Sequence, residues 1–172
     1  MAMAGLPGTG KSTVALALAR AVEGVILDKD RVREALFPPG TIEYSPEQDD
    51  LCIDVMLQVA AFLLRRNPDR TILLDGRTFT RRYQVETLAH SASQIPARLV
   101  FIECICSEAT ALHRLEIDRA GRVHPAADRD ASLYRRLKTR AEPLDWPHLT
   151  VDTESPLADI VAACMRYLST PP

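Results

Sequence analysis

Short, uninterrupted apolar runs alternate along the chain with longer segments in which apolar residues recur every three or four positions. Continuous apolar runs of this length are typical of strands that are buried on both faces of a parallel sheet. The candidate strands are residues 1–4, 25–27, 71–74, 97–104 and 148–151. The alternation predicts an α/β fold in which helices flank a mostly parallel five-stranded sheet.

The segments between these strands carry helix signals. The sequence Ser-Pro-Glu-Gln at 45–48 predicts a capped helix start, and Asn67-Pro68 predicts the end of the same helix. Spacing assigns one core-facing stripe to this helix: Cys52, Val55, Met56, Val59, Phe62 and Leu63. Further helices are predicted at residues 11–21, 81–91, 108–120 and 131–141 and from 155 towards 168.

Length and composition are those of an ordinary globular protein. The chain has 172 residues, 47% of them hydrophobic and 26% charged, which predicts a single domain over residues 1–172. A formal net charge of −2 argues against a protein that mainly coats nucleic acid. The four cysteines match no zinc or redox spacing, and no apolar run approaches membrane-spanning length. We therefore expect a reduced cytoplasmic protein without membrane association.

The stretch GLPGTGKST fits the complete Walker A pattern, with Gly5, Gly10, Lys11 and Ser12 at the required spacing. Glycines allow the backbone amides to wrap a polyphosphate, and the positive end of the following helix adds to the same site. Lys11 is expected to reach the β- and γ-phosphates of ATP, and Ser12 to bind Mg²⁺. The predicted ATP-binding residues are Gly5, Leu6, Pro7, Gly8, Thr9, Gly10, Lys11, Ser12 and Thr13.

Only residues 1–4 precede the Walker A loop, which is short for the strand that normally leads into it. Either the central strand is short, or the natural chain starts upstream.

Two carboxylates follow the second candidate strand. Asp28 and Asp30 are expected at the carboxyl edge of the sheet, where open α/β folds bind their ligands. A carboxylate near a γ-phosphate can accept the proton of an attacking hydroxyl. Arg33, three residues after Asp30, returns to the same side of a helix and can hold an anionic acceptor or the phosphoryl group. The same residues also fit a helix cap followed by a solvated basic turn.

The stretch LDKDRVREALF, taken together with GLPGTGKST, resembles the P-loop small-molecule and polynucleotide kinases, a group that includes adenylylsulfate kinases. It looks most similar to predicted kinases that are grouped with the polynucleotide kinase domain. The resemblance implies a P-loop NTPase three-layer sandwich with a helical lid. It also implies that Asp30 is the general base and that Arg33 positions the acceptor. Asp28 corresponds to an earlier aspartate of the adenylylsulfate kinase pattern.

The run Thr71–Asp75 has the form of a Walker B strand that ends in an aspartate. Asp75 is therefore predicted to hold Mg²⁺ together with Ser12. The following DGRTFTRR resembles the family segment that leads towards the acceptor. It offers three arginines, each of which is either a contributor there or a surface residue: Arg77, Arg81 and Arg82.

Residues 114–140 hold eight basic and four acidic residues, and resemble the lid that closes over ATP in these kinases. Arg119 and Arg122 are the predicted catalytic arginines of this lid. Four other basic residues fit a solvated helix face better: Arg135, Arg136, Lys138 and Arg140. Thr153, in the loop after the last strand, is predicted to lie beside the adenine.

The acceptor is less defined than the nucleotide. Five acids and no base occur between residues 42 and 54, an arrangement that disfavours nucleic acid and suits either an amine or a helix start. We expect an ATP-dependent kinase that phosphorylates a hydroxyl of a small or nucleotide-like acceptor. The alternatives are a polynucleotide 5′-hydroxyl kinase, an ATP-binding switch without kinase activity, and a kinase that acts on an activated sugar. The sequence leaves the oligomeric state open.

Overall fold

The computed structural model describes residues 1–121 and 130–170. The elements follow in the order β1 (Ala2–Ala4), α1 (Lys11–Ala21), β2 (Val25–Asp28), α2 (Lys29–Leu36), α3 (Pro46–Arg66), β3 (Ile72–Asp75), α4 (Arg82–Ala92), β4 (Phe101–Ile105), α5 (Glu108–Gly121), α6 (Ala131–Arg140), β5 (His148–Asp152) and α7 (Leu157–Ser169). None of the helices within these ranges is long and apolar enough to cross a membrane.

The five strands form one parallel sheet in the order β2-β3-β1-β4-β5. The predicted five-stranded α/β fold is therefore confirmed. Because all strands run the same way, their carboxyl ends lie along one edge, which carries the loops that follow β1, β2 and β3. The short β1 occupies the centre of the sheet, so the loop that follows it lies at the middle of this edge.

Each face of the sheet carries its own hydrophobic core. On one face, Ala2, Ala4 and Phe101 pack in a cluster with buried residues of α3 and α4. On the other face, Met3 and Ile102 pack in a cluster with buried residues of α1 and α7. Adjacent strand residues point to opposite faces, so a strand that is buried on both faces reads as a continuous apolar run.

The third helix begins where its sequence predicts, but its buried face differs from the predicted stripe. Ser45 caps the helix by accepting a hydrogen bond from the Gln48 amide at 3.2 Å. Cys52 and Met56 are buried as expected, whereas Val59 and Phe62 are 39% and 47% exposed. The stripe packed against the sheet is rotated towards Ile53, Leu57, Ala60 and Leu64. The predicted stripe is wrong at Val59 and Phe62 because periodicity alone allowed either neighbouring stripe.

The fourth strand starts later than its apolar run. Residues 97–104 predicted a strand, yet β4 covers Phe101–Ile105. Its two neighbours set this limit, since Phe101 pairs with Ala2 of β1 and with His148 of β5, the first residues of those strands. Residues 97–100 therefore have no strand beside them, although the Ala2 amide still donates to the Val100 carbonyl at 2.8 Å.

Candidate active site

The Walker A loop connects β1 to α1 and is anchored on both sides. The Gly5 amide donates to the Thr78 carbonyl beyond β3 at 3.0 Å. Inside the loop, Thr9 Oγ1 and Lys11 Nζ each donate to the Leu6 carbonyl at 2.8 Å. Thr9 and Lys11 are buried, whereas Ser12 and Thr13 are exposed in the first turn of α1. The loop is thus held in shape by its own side chains, with the hydroxyls of α1 accessible.

Gly8 is a position in this loop where a side chain would clash with a neighbouring helix. Its φ of +77° lies in the left-handed region, and an added Cβ would stand 2.4 Å from the Ala111 carbonyl oxygen of α5. The loop therefore rests directly on the backbone of α5.

We expect Gly8→Ala to lower the free energy of unfolding by more than Gly40→Ala. Gly40 has a similar φ of +87°, but no atom lies within 4 Å of its added Cβ. Gly40→Ala should therefore cost only the left-handed backbone penalty of about 1–2 kcal/mol. Gly8→Ala adds the clash with α5, and urea unfolding of both variants measures the difference. Equal losses would show that Gly8 does not depend on close packing against α5.

Asp75 ends β3 at the same edge of the sheet and is 3% exposed. Within the described parts of the chain, its Oδ1 is buried and has no hydrogen-bond partner. An ionised carboxylate oxygen in such a place requires a partner to offset its desolvation. A hard cation held by this carboxylate and the Ser12 hydroxyl is one such partner, because Mg²⁺ prefers oxygen ligands. The residues present therefore fit Mg²⁺.

The two aspartates after β2 have different surroundings. Asp28 is the N-cap of α2, and its Oδ1 accepts hydrogen bonds from the amides of Asp30 and Arg31 at 2.8 and 3.3 Å. Asp30 lies in the first turn of α2, where its Oδ1 accepts a 2.6 Å bond from Arg33 Nη1. The helix-cap interpretation thus fits Asp28, and Asp30 is the carboxylate paired with an arginine.

Arg33 joins α2 to α3 through a buried charge network. The Arg33 side chain is 2% exposed, and its guanidinium pairs with Asp30 through Nη1 and with Asp49 of α3 through Nη2. Lys29 Nζ donates to the same Asp49 Oδ1 at 2.7 Å. The ring of Tyr44 covers Arg33, with 5.0 Å from the guanidinium carbon to the ring centroid. Asp49 therefore holds two cations in place beside Asp30.

We expect Asp49→Asn to destabilise the protein by on the order of 3 kcal/mol, because it leaves the buried Arg33 without half of its charge compensation. Asp54→Asn is the matched control, since Asp54 is an exposed aspartate of the same helix. Thermal and urea unfolding of the two variants provide the comparison. A loss below 0.5 kcal/mol for Asp49→Asn, about the size of an ordinary surface substitution, would contradict the structural role given to Asp49.

Arg77 makes a second link to α3. It is 3% exposed and its Nη2 donates to Asp50 Oδ1, while the Tyr83 ring lies 5.9 Å from its guanidinium carbon. Two of the five acids between residues 42 and 54, Asp49 and Asp50, are therefore paired with buried cations. These two carboxylates therefore no longer support the interpretation of this segment as a rim that binds an amine.

The helices of the predicted lid segment divide their charges between two directions. Lys138 Nζ donates to Glu108 Oε2 of α5 at 2.7 Å, and Arg135 Nε lies 4.0 Å from Glu108 Oε1. Arg136 and Arg140 instead line the cleft in front of the Walker A loop. All four residues are exposed, as a solvated face requires. Arg136 and Arg140 differ from the other two because they also line the cleft.

Of the two lid arginines chosen from the sequence, Arg119 falls within the described residues. Arg119 is exposed in the last turn of α5 and is not among the residues that line the cleft. Arg122 lies outside the described residues.

Thr153 lies next to the Walker A loop. Its Oγ1 accepts a 2.8 Å hydrogen bond from Arg114 Nη1, and its carbonyl accepts a 2.9 Å bond from Arg114 Nη2. An added Cβ at Gly10 would lie 3.3 Å from Arg114 and 3.4 Å from Thr153. Arg114, which the sequence marked only as one basic residue among eight, is thus fixed beside the loop by both polar groups of Thr153.

Glu154 ties this loop to the start of α5. Its carboxylate accepts hydrogen bonds from the hydroxyls of Thr110 and Ser107 and from the Ser107 amide. These bonds favour the ionised carboxylate, so they lower the pKa of Glu154, the Thr110 bond most. The connection between the β5–α7 loop and α5 is therefore complete at neutral pH.

All four cysteines are free thiols. Burial raises the pKa of Cys104 to about 12 and that of Cys164 to about 11. Both thiols are therefore protonated at neutral pH and act as small apolar side chains of the core beneath the site.

A cleft of about 510 Å³ is lined by residues of the Walker A loop, α2, α3 and α6. Lys11 and Ser12 of the Walker A loop line it together with Asp30 and Arg33 of α2. A volume of this size is that of a small-molecule site. The geometry thus places a phosphate-binding loop and an arginine-paired carboxylate on the walls of the same cleft.

A family model described as AAA domain (AAA_33) matches residues 1–144. The chain belongs to this family. No match was found among curated proteins. The family match covers both quoted stretches, GLPGTGKST and LDKDRVREALF. The predicted fold class is confirmed by solved structures that share it over nearly the whole chain.

Three solved structures show the extent of the likeness. A protein from Chloroflexus aurantiacus J-10-fl that is proposed to be a kinase is 24% identical, with a TM-score of 0.74 over 98% of this chain and 97% of that one. A gluconokinase from Sinorhizobium meliloti 1021 is 22% identical, with a TM-score of 0.64 over 98% and 96%. The APS kinase of Mycobacterium tuberculosis, in complex with AMPPNP and APS, is 16% identical, with a TM-score of 0.72 over 98% and 95%. At these identities the likeness shows the fold.

Proposed function

We propose that this AAA-domain protein is an ATP-dependent kinase that transfers the γ-phosphoryl group to a hydroxyl of a small acceptor. The observation that carries the proposal is the shared cleft, in which Lys11 and Ser12 of the Walker A loop face the same space as Asp30 and Arg33. A nucleotide switch requires the loop but gives no reason for an arginine-held carboxylate in the same cleft. The nucleotide-bound kinase that shares the fold, with its AMPPNP, supports ATP as the donor.

In this proposal the loop amides from Gly5 to Gly10 and the start of α1 bind the phosphates of ATP, as their open backbone and helix end favour. Lys11 leaves the Leu6 carbonyl to contact the terminal phosphates. The pair Arg114 and Thr153 lies beside the nucleoside end, where the guanidinium plane offers a surface for the base. The residues of the loop, Ser12, Thr13 and Thr153 thus all belong to one nucleotide site.

Ser12 and Asp75 would hold Mg²⁺, which when bound neutralises charge on the β- and γ-phosphates. Asp30 accepts the proton of the acceptor hydroxyl while the oxygen of that hydroxyl forms a bond to the γ-phosphorus. The bond between that phosphorus and the β–γ bridging oxygen breaks, and ADP leaves. Arg33 keeps the Asp30 carboxylate oriented through the 2.6 Å contact, and so acts on the acceptor side as a positioning residue.

Charge that develops on the moving phosphoryl group requires cations from outside the loop. Arg119 and Arg122 remain the sequence-based candidates for this role. In this proposal residues 114–140 are the lid, and residues 1–172 are a single domain. Among the described arginines of this segment, Arg136 and Arg140 are the two that line the cleft.

The proposal is tested by ADP release with Mg·ATP and a panel of hydroxyl acceptors, namely sugars, sugar acids, nucleosides and a 5′-hydroxyl oligonucleotide. We expect at least one small acceptor to stimulate ADP release and to gain a phosphoryl group, as seen by mass spectrometry. Phosphorylation of the oligonucleotide alone would favour the polynucleotide kinase. Tight AMPPNP binding with no phosphorylated product from any acceptor would favour the switch.

A further inference from the structure

The described lining of the cleft carries an excess of positive charge. Three acids line it, and each has a partner: Asp28 caps α2, Asp30 bonds Arg33, and Asp49 bonds Lys29 and Arg33. These partners account for Lys29 and Arg33 among the cations, and Lys11 belongs to the phosphate loop. Three cations of the lining are then left over: Arg81, Arg136 and Arg140.

The three arginines stand close together at the end of α6. Arg81 Nη1 donates to the Arg140 carbonyl at 3.3 Å, which joins the start of α4 to the end of α6. Arg136 lies one turn before Arg140 on the same helix. Arg81 has one weak carboxylate contact, at 3.9 Å to Glu142, with both side chains nearly half exposed. Within the described parts of the chain, no carboxylate pairs with Arg136 or Arg140.

The other two cations of α6, Arg135 and Lys138, have a carboxylate partner. Arg135 and Lys138 point to α5, where both approach the Glu108 carboxylate. Hydrogen bonding to Lys138 lowers the pKa of Glu108, so that carboxylate is ionised at neutral pH. The same ten-residue helix thus has one pair of cations with a carboxylate partner. The other pair lines the cleft and has no such partner among the residues that the structure describes.

We propose that the acceptor of the kinase is a small organic anion, whose carboxylate, sulfate or phosphate group binds Arg136, Arg140 and Arg81 while its hydroxyl meets Asp30. This inference rests on the proposed function. Guanidinium groups present planar pairs of donors that match such oxyanions. Tyr44 and Tyr83 line the same cleft and provide walls for the carbon skeleton. The volume of about 510 Å³ suits a small molecule rather than a nucleic-acid strand.

Binding of inorganic sulfate tests the anion subsite without knowledge of the acceptor. The protein is first saturated with Mg·AMPPNP, so that the phosphate loop is occupied, and sulfate is then titrated by calorimetry against sodium chloride of equal ionic strength. We expect one sulfate site of millimolar affinity. Arg136→Ala should weaken it at least tenfold, whereas Arg135→Ala, which removes the same charge from the adjacent position, should change it less than twofold.

Both variants alter exposed side chains of α6, and unchanged circular dichroism and melting temperature verify that they fold. Absence of sulfate binding to the nucleotide-loaded protein would overturn the inference, as would equal weakening by Arg136→Ala and Arg135→Ala. A weak site that survives in both variants is an adventitious ion only, and equally overturns it.

Matched acceptor pairs provide the second test: gluconate with sorbitol, glycerate with glycerol, and glucose 6-phosphate with glucose. We expect phosphorylation to favour the anionic member, and Arg136→Ala to raise its KM at least tenfold with the KM for ATP within twofold. Equal use of a neutral member, or preference for a 5′-hydroxyl oligonucleotide, would overturn the inference. If no acceptor is phosphorylated, the proposed function fails for this panel, while the sulfate titration still decides the anion subsite.

Discussion

Asp30→Asn is expected to lower kcat about 100- to 10,000-fold, the usual contribution of a positioned general base. Asparagine has nearly the size of aspartate and its oxygen can still accept the hydrogen bond from Arg33, which Asp30 receives at 2.6 Å. It cannot take a proton from the acceptor hydroxyl. Single-turnover transfer from ATP to the best acceptor of the panel measures the effect.

Glu34→Gln is the control for Asp30→Asn, because Glu34 is an exposed acid one turn later on α2. It should leave kcat unchanged, and neither variant should change the dissociation constant of AMPPNP by more than about threefold, which is less than 1 kcal/mol. A rate of transfer for Asp30→Asn within threefold of the unsubstituted protein would remove Asp30 from the chemistry.

The second large effect is expected for Lys11→Ala. We predict a fall in kcat of about 100- to 1,000-fold, because a preorganised charge next to the developing negative charge is lost. The affinity for ATP should fall as well, and the affinity for ADP less, since Lys11 contacts the terminal phosphates in the proposal.

Arg20→Ala removes a positive charge from the last turn of the same helix, where the side chain is exposed. Calorimetric binding of AMPPNP and steady-state ADP release compare the two variants. Similar behaviour of Lys11→Ala and Arg20→Ala would mean that Lys11 acts only through the net charge of the protein.

Local sequence was sufficient to locate the Walker A loop and the aspartate that ends β3. The Walker A loop has its glycines where the backbone must turn and closely approach α5, and Gly8 shows this with a 2.4 Å clash for any added Cβ. Asp75 was placed by the apolar run that precedes it, because that run predicts a buried strand and Asp75 is its last residue. Such features depend on neighbours in the chain, so a single sequence reveals them.

The acceptor side depended on contacts that are distant in sequence. The acids between residues 42 and 54 gave no sign that Asp49 pairs with Arg33 or Asp50 with Arg77. The four cations of α6 were equivalent in sequence, and Tyr134 decides between them. Its ring is 3% exposed in a cluster with Ala111 and Leu115 of α5, which fixes the rotation of α6 and turns Arg136 to the cleft.

Arg114 is a further residue whose position the sequence did not predict. In the sequence it is one of several arginines in a predicted helix. In the folded chain, the β5–α7 loop brings Thr153 within hydrogen-bond distance of its guanidinium. The pairing of β4 with β5 places that loop beside the Walker A loop, and strand order is not encoded in any one segment. The position of Arg114 beside the Walker A loop is therefore evident only in the folded chain.

The central claim is that ATP bound by the Walker A loop presents its terminal phosphate to Asp30 across the cleft. A crystal structure with Mg²⁺ and AMPPNP tests it most directly. The account predicts the γ-phosphate between Lys11 and Asp30, with the metal ion at Ser12 and on the side of Asp75. A nucleotide bound elsewhere, or an Asp30 carboxylate directed away from the γ-phosphate, would contradict it.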